Sequence, residues 1–437
     1  MLHFGMMCPE VSGHLNPMIT LGRELQTRGH RITFIGKLDG AEKVTAAGLD
    51  FRPIAEKEFP LGQWPGLMET LGKLSGWRAL RFTLNNYRKL AGSIVRDAPA
   101  VIRALNVDGL LIDQTYSAGG AVAEYVDRPF VSVANALLLN SEPSVPPLIS
   151  AWKYSSSRWL KWRNQMAHMA FQLGTGRMRR VVQRHQRKWD MPIHRTNEET
   201  FSQIAQIGQL PREFDFPRRA LPDIFHYVGP MHDSKCRPRI PFDYDQLDGR
   251  PLIYASMGTL QNRLSHVFQT IAAACADLDA QLVISLGHKD AKIPSGLPGS
   301  PLVVKFAPQL ELIQRASLVI THAGMNTAME SLAQGVPMVA IPVTNDQPGV
   351  ASRIRWTGAG ELIPLRKLSV SRLQRAIEDV MTHSFFRKNA KRLQEAIGRC
   401  GGVQLAADIC EQAVRTGQPV YSSRPSKNDS DAESKAA

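Results

Sequence analysis

Cysteine is scarce in this chain, and its scarcity excludes a disulfide-stabilised scaffold. The 437 residues include five cysteines: Cys8, Cys236, Cys275, Cys400 and Cys410. No two of them have the spacing of a metal-ligand pair, and an odd number cannot all pair with one another. We therefore expect free thiols in a reducing compartment.

Long apolar runs are lacking as well. No stretch of about 18 uncharged apolar residues occurs, so no membrane-spanning helix is predicted. The N-terminal MLHFGMMCPEVSGH has no basic segment ahead of an apolar one, which predicts no signal peptide. These absences favour a cytoplasmic protein, and they leave open a peripheral attachment to the inner membrane face.

Acidic residues are the minority, and the positive excess is local. Lys and Arg number 53 against 39 Asp and Glu, for a formal net charge of +14. Residues 152–190 alone hold ten Lys or Arg, one acid and four Trp. Five apolar residues of this stretch recur at spacings of three and four: Trp159, Trp162, Met166, Met169 and Leu173.

That spacing puts the five residues on one helix face. Packing in a core and contact with an anionic membrane surface both fit such a face, and the sequence does not separate them. No RNA- or DNA-binding module is recognisable, so no nucleic-acid partner is expected.

Short apolar runs alternate with helical patterns through both halves of the chain. The strand candidates are LHFGMM, RITFIG, GLLID and FVSVAN, then LIYASMG, QLVISLG, LVVKFA, LVITHAG and MVAIPVT. After the first candidate, Asn16 and Pro17 are a suitable N-cap and first residue of a helix. The alternation predicts an α/β protein with two doubly wound parallel-sheet domains facing each other across a cleft.

The composition becomes rich in Pro and charge from about residue 205 to 250. We interpret the later part as an interdomain linker. The expected organisation is an N-terminal domain at 1–236, a linker at 237–250, a C-terminal domain at 251–418 and a disordered tail at 419–437. The last helix of the C-terminal domain can pack back on the N-terminal one.

Polar residues stand where strand meets helix in THAGMNTAMESLAQGVPMVAIPVTNDQ, residues 321–347. His322 follows the strand LVIT, at the sheet edge where ligands of open α/β sheets bind. Gly324 permits a tight turn, and Asn326 and Thr327 open a helix whose free N–H groups favour an anion.

Other polar residues extend this candidate site. Glu330 lies one turn further along the same helix face and can accept from two vicinal hydroxyls. Asp346 and Gln347, after the next strand, suit a second polyol, while Phe306 can stack on a base and Gln309 can make a polar contact. A nucleoside diphosphate sugar has these parts, although each residue alone is also explained as a helix cap, a surface acid or a turn. The ATP and dinucleotide fingerprints are absent.

The segment from FAPQ to TNDQ, residues 306–347, resembles the nucleotide-sugar signature of the UDP-glycosyltransferase superfamily, whose fold is called GT-B. Over most of its length the chain resembles bacterial zeaxanthin and carotenoid glucosyltransferases. The resemblance implies that the N-terminal domain binds the acceptor and the C-terminal domain the donor. It assigns Phe306 to uracil, Gln309 to the ribose region, His322, Asn326 and Thr327 to the diphosphate, Glu330 to the ribose hydroxyls, and Asp346 with Gln347 to the sugar.

Two further details follow from the same resemblance. YASMGT resembles the first strand and turn of the family's C-terminal domain, which implies that Gly258 and Thr259 lie near the phosphates. Plant members usually have Trp where Phe306 and Met325 stand.

A candidate catalytic base lies in PEVSGHLNP, which follows the first strand. His14 would sit just before a helix, and a neutral imidazole in a cleft suits a general base near pH 7. Asp113, at the end of GLLID, can fix its tautomer. From the residues alone, a loop histidine that caps a helix and an unrelated acid at a strand end explain the pattern slightly better than a catalytic pair. GHLNP and LLIDQTYSAGGAVAEYVDRPFV resemble the family's catalytic-histidine loop and the segment carrying its supporting Asp, which implies those roles.

The resemblance implies an inverting enzyme that moves a hexose, most simply glucose, from a UDP-sugar to a hydroxyl of a lipophilic acceptor such as a carotenoid or another membrane lipid. No D-x-D motif stands beside the donor residues, so neither a metal nor a cofactor is expected, the UDP-sugar being a co-substrate. The alternatives are transfer to a soluble polyphenol or macrolide, a catalytically silent nucleotide-sugar-binding protein, and an epimerase of the same architecture. His14 and Asp113 argue against the silent protein, and GHLNP argues against the epimerase.

Overall fold

A computed structural model of the chain describes residues 1–74, 76–232, 240–259, 265–287, 291 and 293–422. Cys236, the first three residues of the predicted linker and the predicted tail from 423 onward lie outside this description. The four cysteines within it are free thiols, as predicted.

Seven parallel strands form the sheet of the N-terminal domain, in the order β3-β2-β1-β4-β5-β6-β7. The strands are His3–Met7 (β1), Arg31–Gly36 (β2), Asp50–Pro53 (β3), Gly109–Asp113 (β4), Phe130–Ala134 (β5), Gln206–Gly208 (β6) and Phe225–Tyr227 (β7). The helices of this half are Ser12–Thr27 (α1), Ala41–Ala46 (α2), Gln63–Gly72 (α3), Gly76–Leu105 (α4), Ala118–Tyr125 (α5) and Arg158–Lys188 (α6).

Six parallel strands form the second sheet, in the order β10-β9-β8-β11-β12-β13. The strands are Leu252–Ser256 (β8), Gln281–Ser285 (β9), Leu302–Val304 (β10), Ala316–Thr321 (β11), Met338–Ala340 (β12) and Gly360–Leu362 (β13). The helices are Ser265–Cys275 (α7), Gln309–Arg315 (α8), Met325–Ala333 (α9), Gln347–Trp356 (α10), Val370–Thr382 (α11), Ser384–Arg399 (α12) and Gly402–Thr416 (α13).

The register of the central strands brings the two candidate sites together. Strands β1 and β4 pair in parallel with Met7 opposite Ile112, so the loop before α1 and the end of β4 share one sheet edge. In the second sheet Ser256 lies opposite Thr321, which sets the turn after β8 beside the turn after β11. Because the central strands are buried on both faces, they read as continuous apolar runs.

Helix α13 leaves the C-terminal domain and packs on the N-terminal one. Its buried residues, among them Ala406 and Cys410, share a core with Met18 and Leu25 of α1 and with the first sheet. The chain therefore crosses between the domains a second time, after the described part of the predicted linker at 240–250.

The nine predicted strands are all present, and two details of the prediction are wrong. Strands β3, β6, β7 and β13 were not predicted, because their short runs mix polar with apolar residues, whereas the equally short β10 and β12 are wholly apolar. Helix α1 begins at Ser12 with Val11 as its N-cap, five residues before the expected cap at Asn16. His14 therefore lies inside the first helical turn, and Pro17 lies within the helix instead of at its start.

Candidate active site

A cavity of about 760 Å³ lies between the two domains, and residues of both domains line it. Of the thirteen residues predicted from the sequence, twelve line this cavity: His14, Gly258, Thr259, Phe306, Gln309, His322, Gly324, Asn326, Thr327, Glu330, Asp346 and Gln347. The thirteenth, Asp113, does not line the cavity but forms a hydrogen bond with His14. The fold thus gathers at one place residues that are more than 300 positions apart in the chain.

On the N-terminal side, His14 is paired with a buried carboxylate. Its Nδ1 donates to Asp113 Oδ2 at 2.7 Å, and the Asp113 side chain is only 1% exposed. The same carboxylate accepts from the Thr115 backbone N–H at 2.8 Å and from Asn135 Nδ2 at 2.6 Å. These bonds fix the carboxylate, and they leave His14 Nε2 as the ring nitrogen that can take a proton.

The pair shifts both of its own pKa values. Burial lowers the pKa of the His14 imidazole, but the Asp113 carboxylate, with a smaller contribution from Asp346, more than offsets this, so the pKa lies above the usual 6.5. Burial raises the pKa of Asp113, but His14, Thr115 and Asn135 together bring it below the usual 3.8. The carboxylate is therefore ionised near neutral pH, as a partner that stabilises an imidazolium must be.

On the C-terminal side, His322 is wedged between two backbone turns. A Cβ at Gly258 would lie 2.5 Å from the His322 ring, and so would a Cβ at Gly324. Gly258 also has a φ of 74°, so two separate constraints require glycine there. Burial lowers the pKa of His322 to about 4, so the ring is neutral at pH 7 and can offer an N–H to an anion without carrying charge itself.

Glu330 is held by a short hydrogen-bond chain across the donor side of the cavity. Gln309 Nε2 donates to Glu330 Oε2 at 2.6 Å, and Gln309 Oε1 accepts from the Tyr254 hydroxyl at 3.2 Å. The Glu330 carboxylate is thereby oriented in advance of any ligand. Phe306, which follows β10, is 40% exposed and lines the same cavity.

Three predicted donor residues have partners that the sequence did not indicate. Asn326 Nδ2 donates to the Gly13 carbonyl of the N-terminal domain at 3.2 Å. Asp346 Oδ2 accepts from the Leu137 backbone N–H, also of the N-terminal domain, at 3.4 Å. Gln347 Oε1 accepts from the backbone N–H groups of Val343 and Thr344, so its carbonyl stabilises the turn after β12. The domains are therefore connected at the donor site itself.

Helix α10 extends this connection to the segment between β5 and α6, residues 135–157, which we call the acceptor loop. Gly349 N–H donates to the Leu148 carbonyl at 3.0 Å, and Ser352 Oγ donates to the Trp152 carbonyl at 2.6 Å. A buried ion pair between Arg353 and Asp215, 2.7 Å long, ties the helix to the N-terminal domain.

The other end of the cavity lies in the N-terminal domain, which the resemblance implies binds the acceptor, but none of its lining residues was predicted. It is formed by α4, the acceptor loop and α6, and it is mainly apolar. Its lining includes Leu80, Leu84, Tyr87, Leu137, Leu139, Leu148, Ile149, Phe171 and Met178. These are ordinary core residue types far apart in the chain, and α4 and α6 are amphipathic helices with many Lys and Arg, so no local pattern marked this end of the cavity.

The apolar face of α6 is exposed to solvent. Trp159, Trp162, Met166, Met169 and Leu173 have exposed fractions between 47% and 78%. The interpretation of this face as core packing is therefore wrong. Another face of the same helix lines the cavity.

Comparison with known proteins decides the family. Residues 73–397 match the family model described as UDP-glucoronosyl and UDP-glucosyl transferase. The chain belongs to this family. Residues 12–109 also match the glycosyltransferase family 28 N-terminal domain. The protein is thus a glycosyltransferase of the UDP-glucosyltransferase family, and a UDP-sugar is its donor.

Curated relatives and a solved structure agree with this assignment. The glycosyltransferase is 34% identical to a zeaxanthin glucosyltransferase from Pantoea ananas, over 97% of this chain and 98% of the relative. It is 30% identical to a zeaxanthin glucosyltransferase from Pseudescherichia vulneris, over 96% of this chain and 100% of the relative. Its fold matches the glycotransferase of kitacinnamycin with a TM-score of 0.73 at 22% identity, over 94% of this chain and 98% of that chain, which shows the GT-B architecture.

The described part of the glycosyltransferase includes no helix that is both long and apolar enough to cross a membrane.

Proposed function

We propose that this glycosyltransferase moves a hexose, most simply glucose, from its UDP-sugar donor to a hydroxyl group of a lipophilic acceptor. One observation carries the proposal: a single cavity joins His14 and the donor residues to a large apolar end built by the N-terminal domain. An apolar wall of that extent suits a hydrocarbon acceptor, whose affinity comes from buried apolar surface. The similarity to two zeaxanthin glucosyltransferases supports a carotenoid as a member of this class.

In the proposed reaction His14 Nε2 removes the proton of the acceptor hydroxyl while its oxygen attacks the anomeric carbon. The bond to UDP breaks on the opposite side, so the configuration at that carbon inverts. Asp113, ionised and hydrogen-bonded to Nδ1, stabilises the imidazolium that forms. Holding base, hydroxyl and donor in one cavity supplies alignment, which can be worth roughly 7–11 kcal/mol of barrier.

The negative charge that grows on the departing diphosphate meets two groups of this chain. The N-terminus of α9 presents free backbone N–H groups, and His322 offers a neutral imidazole N–H beside it. We propose that these groups act without a metal ion or a cofactor. Transfer that continues undiminished in excess EDTA is the expected result, and loss of activity that Mg²⁺ restores would contradict it.

The exposed apolar face of α6 suggests how such an acceptor is reached. Lys153 and Arg158, both exposed, lie beside this face, and the cavity lies behind the same helix. We propose that α6 rests on an anionic membrane surface, from which a dissolved lipophilic acceptor enters the cavity. Each Lys or Arg near such a surface contributes about 1 kcal/mol.

The acceptor class is tested with purified protein and radiolabelled UDP-glucose. One reaction contains a hydroxylated carotenoid in lipid vesicles, and the other contains a soluble polyphenol. We expect a carotenoid glucoside, and NMR of its anomeric proton should show the β configuration because the donor is α-linked. A product from the polyphenol alone would favour the soluble-aglycone alternative. Binding of UDP-glucose without any transfer would favour a catalytically silent protein.

Membrane attachment is tested by sedimentation with liposomes. The protein should sediment with anionic vesicles at low salt and should not bind neutral vesicles. High salt should release it from the anionic vesicles, because charges are already screened within about 10 Å at 0.1 M. The variant replaces three cations beside the apolar face with Gln: Lys153, Arg158 and Lys161. The control replaces three exposed cations of the C-terminal domain with Gln: Arg372, Arg387 and Lys388.

Only the first variant should lose binding. Arg163 stays unchanged because its guanidinium packs on the Trp152 ring at 4.1 Å and donates to Asn164. Wild-type protein that remains in the supernatant at low salt would end the membrane proposal.

A further inference from the structure

Pro17 leaves one backbone carbonyl of helix α1 without its helical donor. In a regular helix the N–H of residue 17 would donate to the carbonyl of Gly13, four residues earlier, but proline has no N–H. The side chain of Asn326, from the other domain, takes that place: its Nδ2 donates to the Gly13 carbonyl at 3.2 Å. Gly13 immediately precedes His14.

The other end of the same amide reaches the partner of His14. Asn326 Oδ1 accepts from Gln209 Nε2 at 3.1 Å, and the same Gln209 Nε2 donates to the Asn135 backbone carbonyl. Asn135 Nδ2 in turn donates to Asp113 Oδ2 at 2.6 Å. One amide of the donor domain is therefore linked both to the helical turn that carries His14 and to the carboxylate that orients it.

We infer that Asn326 is a positioning residue for the catalytic base, and that Pro17 makes this possible by freeing the Gly13 carbonyl. The inference rests on the proposed role of His14. It does not conflict with a diphosphate contact, since the amide nitrogen carries two hydrogens and only one is used on Gly13. The Asn326 side chain would then contribute both to donor binding and to the orientation of the base.

Variants of Asn326 itself cannot test this, because they would also disturb the donor. Pro17→Ala can, because it leaves Asn326 intact and restores an N–H that competes for the Gly13 carbonyl. We expect kcat to fall about three- to tenfold, the effect of one lost hydrogen bond. The Kd for UDP should not change, and the melting temperature should stay the same or rise because a helix-interior proline is removed. A purely structural role for Pro17 would not lower kcat while preserving stability.

The matched control is Pro99→Ala, which removes the interior proline of α4 and should leave kcat unchanged. Gln209→Met cuts the other link, and it should lower kcat by less in the Pro17→Ala background than in wild type, because both changes act through Asn326. Wild-type kcat in Pro17→Ala would overturn the inference, and so would a loss of UDP affinity as large as the loss of kcat.

A second measurement needs no acceptor. In protein labelled with ¹⁵N-histidine, the ring signals of His14 are assigned by their absence in His14→Ala. They should shift in Pro17→Ala and stay in place in Pro99→Ala. Unshifted signals in Pro17→Ala would contradict the inference even if the acceptor were still unknown. Failure of wild-type protein to transfer glucose would instead count against the proposed function.

Discussion

At the level of single residues, the pH dependence of the reaction should follow from the His14–Asp113 pair. The base must be neutral to take a proton, so kcat/KM should fall as pH falls through the His14 pKa, which lies above 6.5. In Asp113→Asn, burial still lowers this pKa, the main opposing carboxylate is gone, and only the smaller contribution of Asp346 remains. The acid limb of the profile should therefore move to lower pH, while the maximum rate falls roughly 10²–10⁴-fold.

The control for that experiment is Asp248→Asn, which removes an exposed carboxylate and should leave the profile in place. An acid limb that keeps its position in Asp113→Asn would mean that another group than His14 sets it.

We predict that two acids of the donor side bind different parts of the donor: Glu330 the nucleotide and Asp346 the sugar. Glu330, held by Gln309 at 2.6 Å, is predicted from the family resemblance to bind the ribose hydroxyls. Glu330→Ala should therefore weaken UDP binding by roughly 10–100-fold, as for hydrogen bonds to a charged group. Asp346→Ala should spare UDP and weaken only UDP-glucose binding or turnover. Calorimetric titration of both variants with both ligands measures the difference. Equal losses of UDP affinity would refute the division.

At the level of secondary-structure elements, α10 couples the donor side to the acceptor loop. Ser352→Ala removes the bond to the Trp152 carbonyl and should raise the acceptor KM about three- to tenfold, because the loop carrying Leu148 and Ile149 loses an anchor. The Kd for UDP should not change. Thr357→Val is the matched control, since the hydroxyl of this C-cap residue donates to carbonyls of α10 itself, those of Arg353 and Ile354.

An equal effect of the two substitutions would contradict this coupling. If Ser352→Ala and Thr357→Val raise the acceptor KM alike, the effect comes from the helix as a whole. The position of the acceptor loop would then be set by the packing of the loop itself and not by α10.

The elements also show what the sequence could and could not predict. The spacing of Trp159 to Leu173 predicted one helix face correctly, because helical periodicity fixes which side chains point together. The same spacing could not tell a face packed inward from one facing solvent, since both require an apolar stripe. The start of α1 was placed too late because Asn16 and Pro17 look like a cap, whereas tertiary contacts sustain the helix around the proline.

For the molecule as a whole, the donor side was predictable and the acceptor side was not. Residues 321–347 are contiguous, and parallel strands end at one sheet edge, so polar residues at strand ends must converge. The apolar end of the cavity combines α4, α6 and the acceptor loop, and no local pattern in any of them marks a ligand. The contacts between domains, such as Asn326 to Gly13, could not be predicted either, because no local pattern marks them.

The central claim is that a base on one domain deprotonates the acceptor hydroxyl for attack on a donor held by the other domain. The most direct measurement compares UDP binding and glucosyl transfer in His14→Ala. We predict a wild-type Kd for UDP together with a transfer rate roughly 10²–10⁴-fold lower, because only general base catalysis is lost. Transfer at the wild-type rate, or a loss of UDP affinity that accounts for the lost rate, would contradict the account.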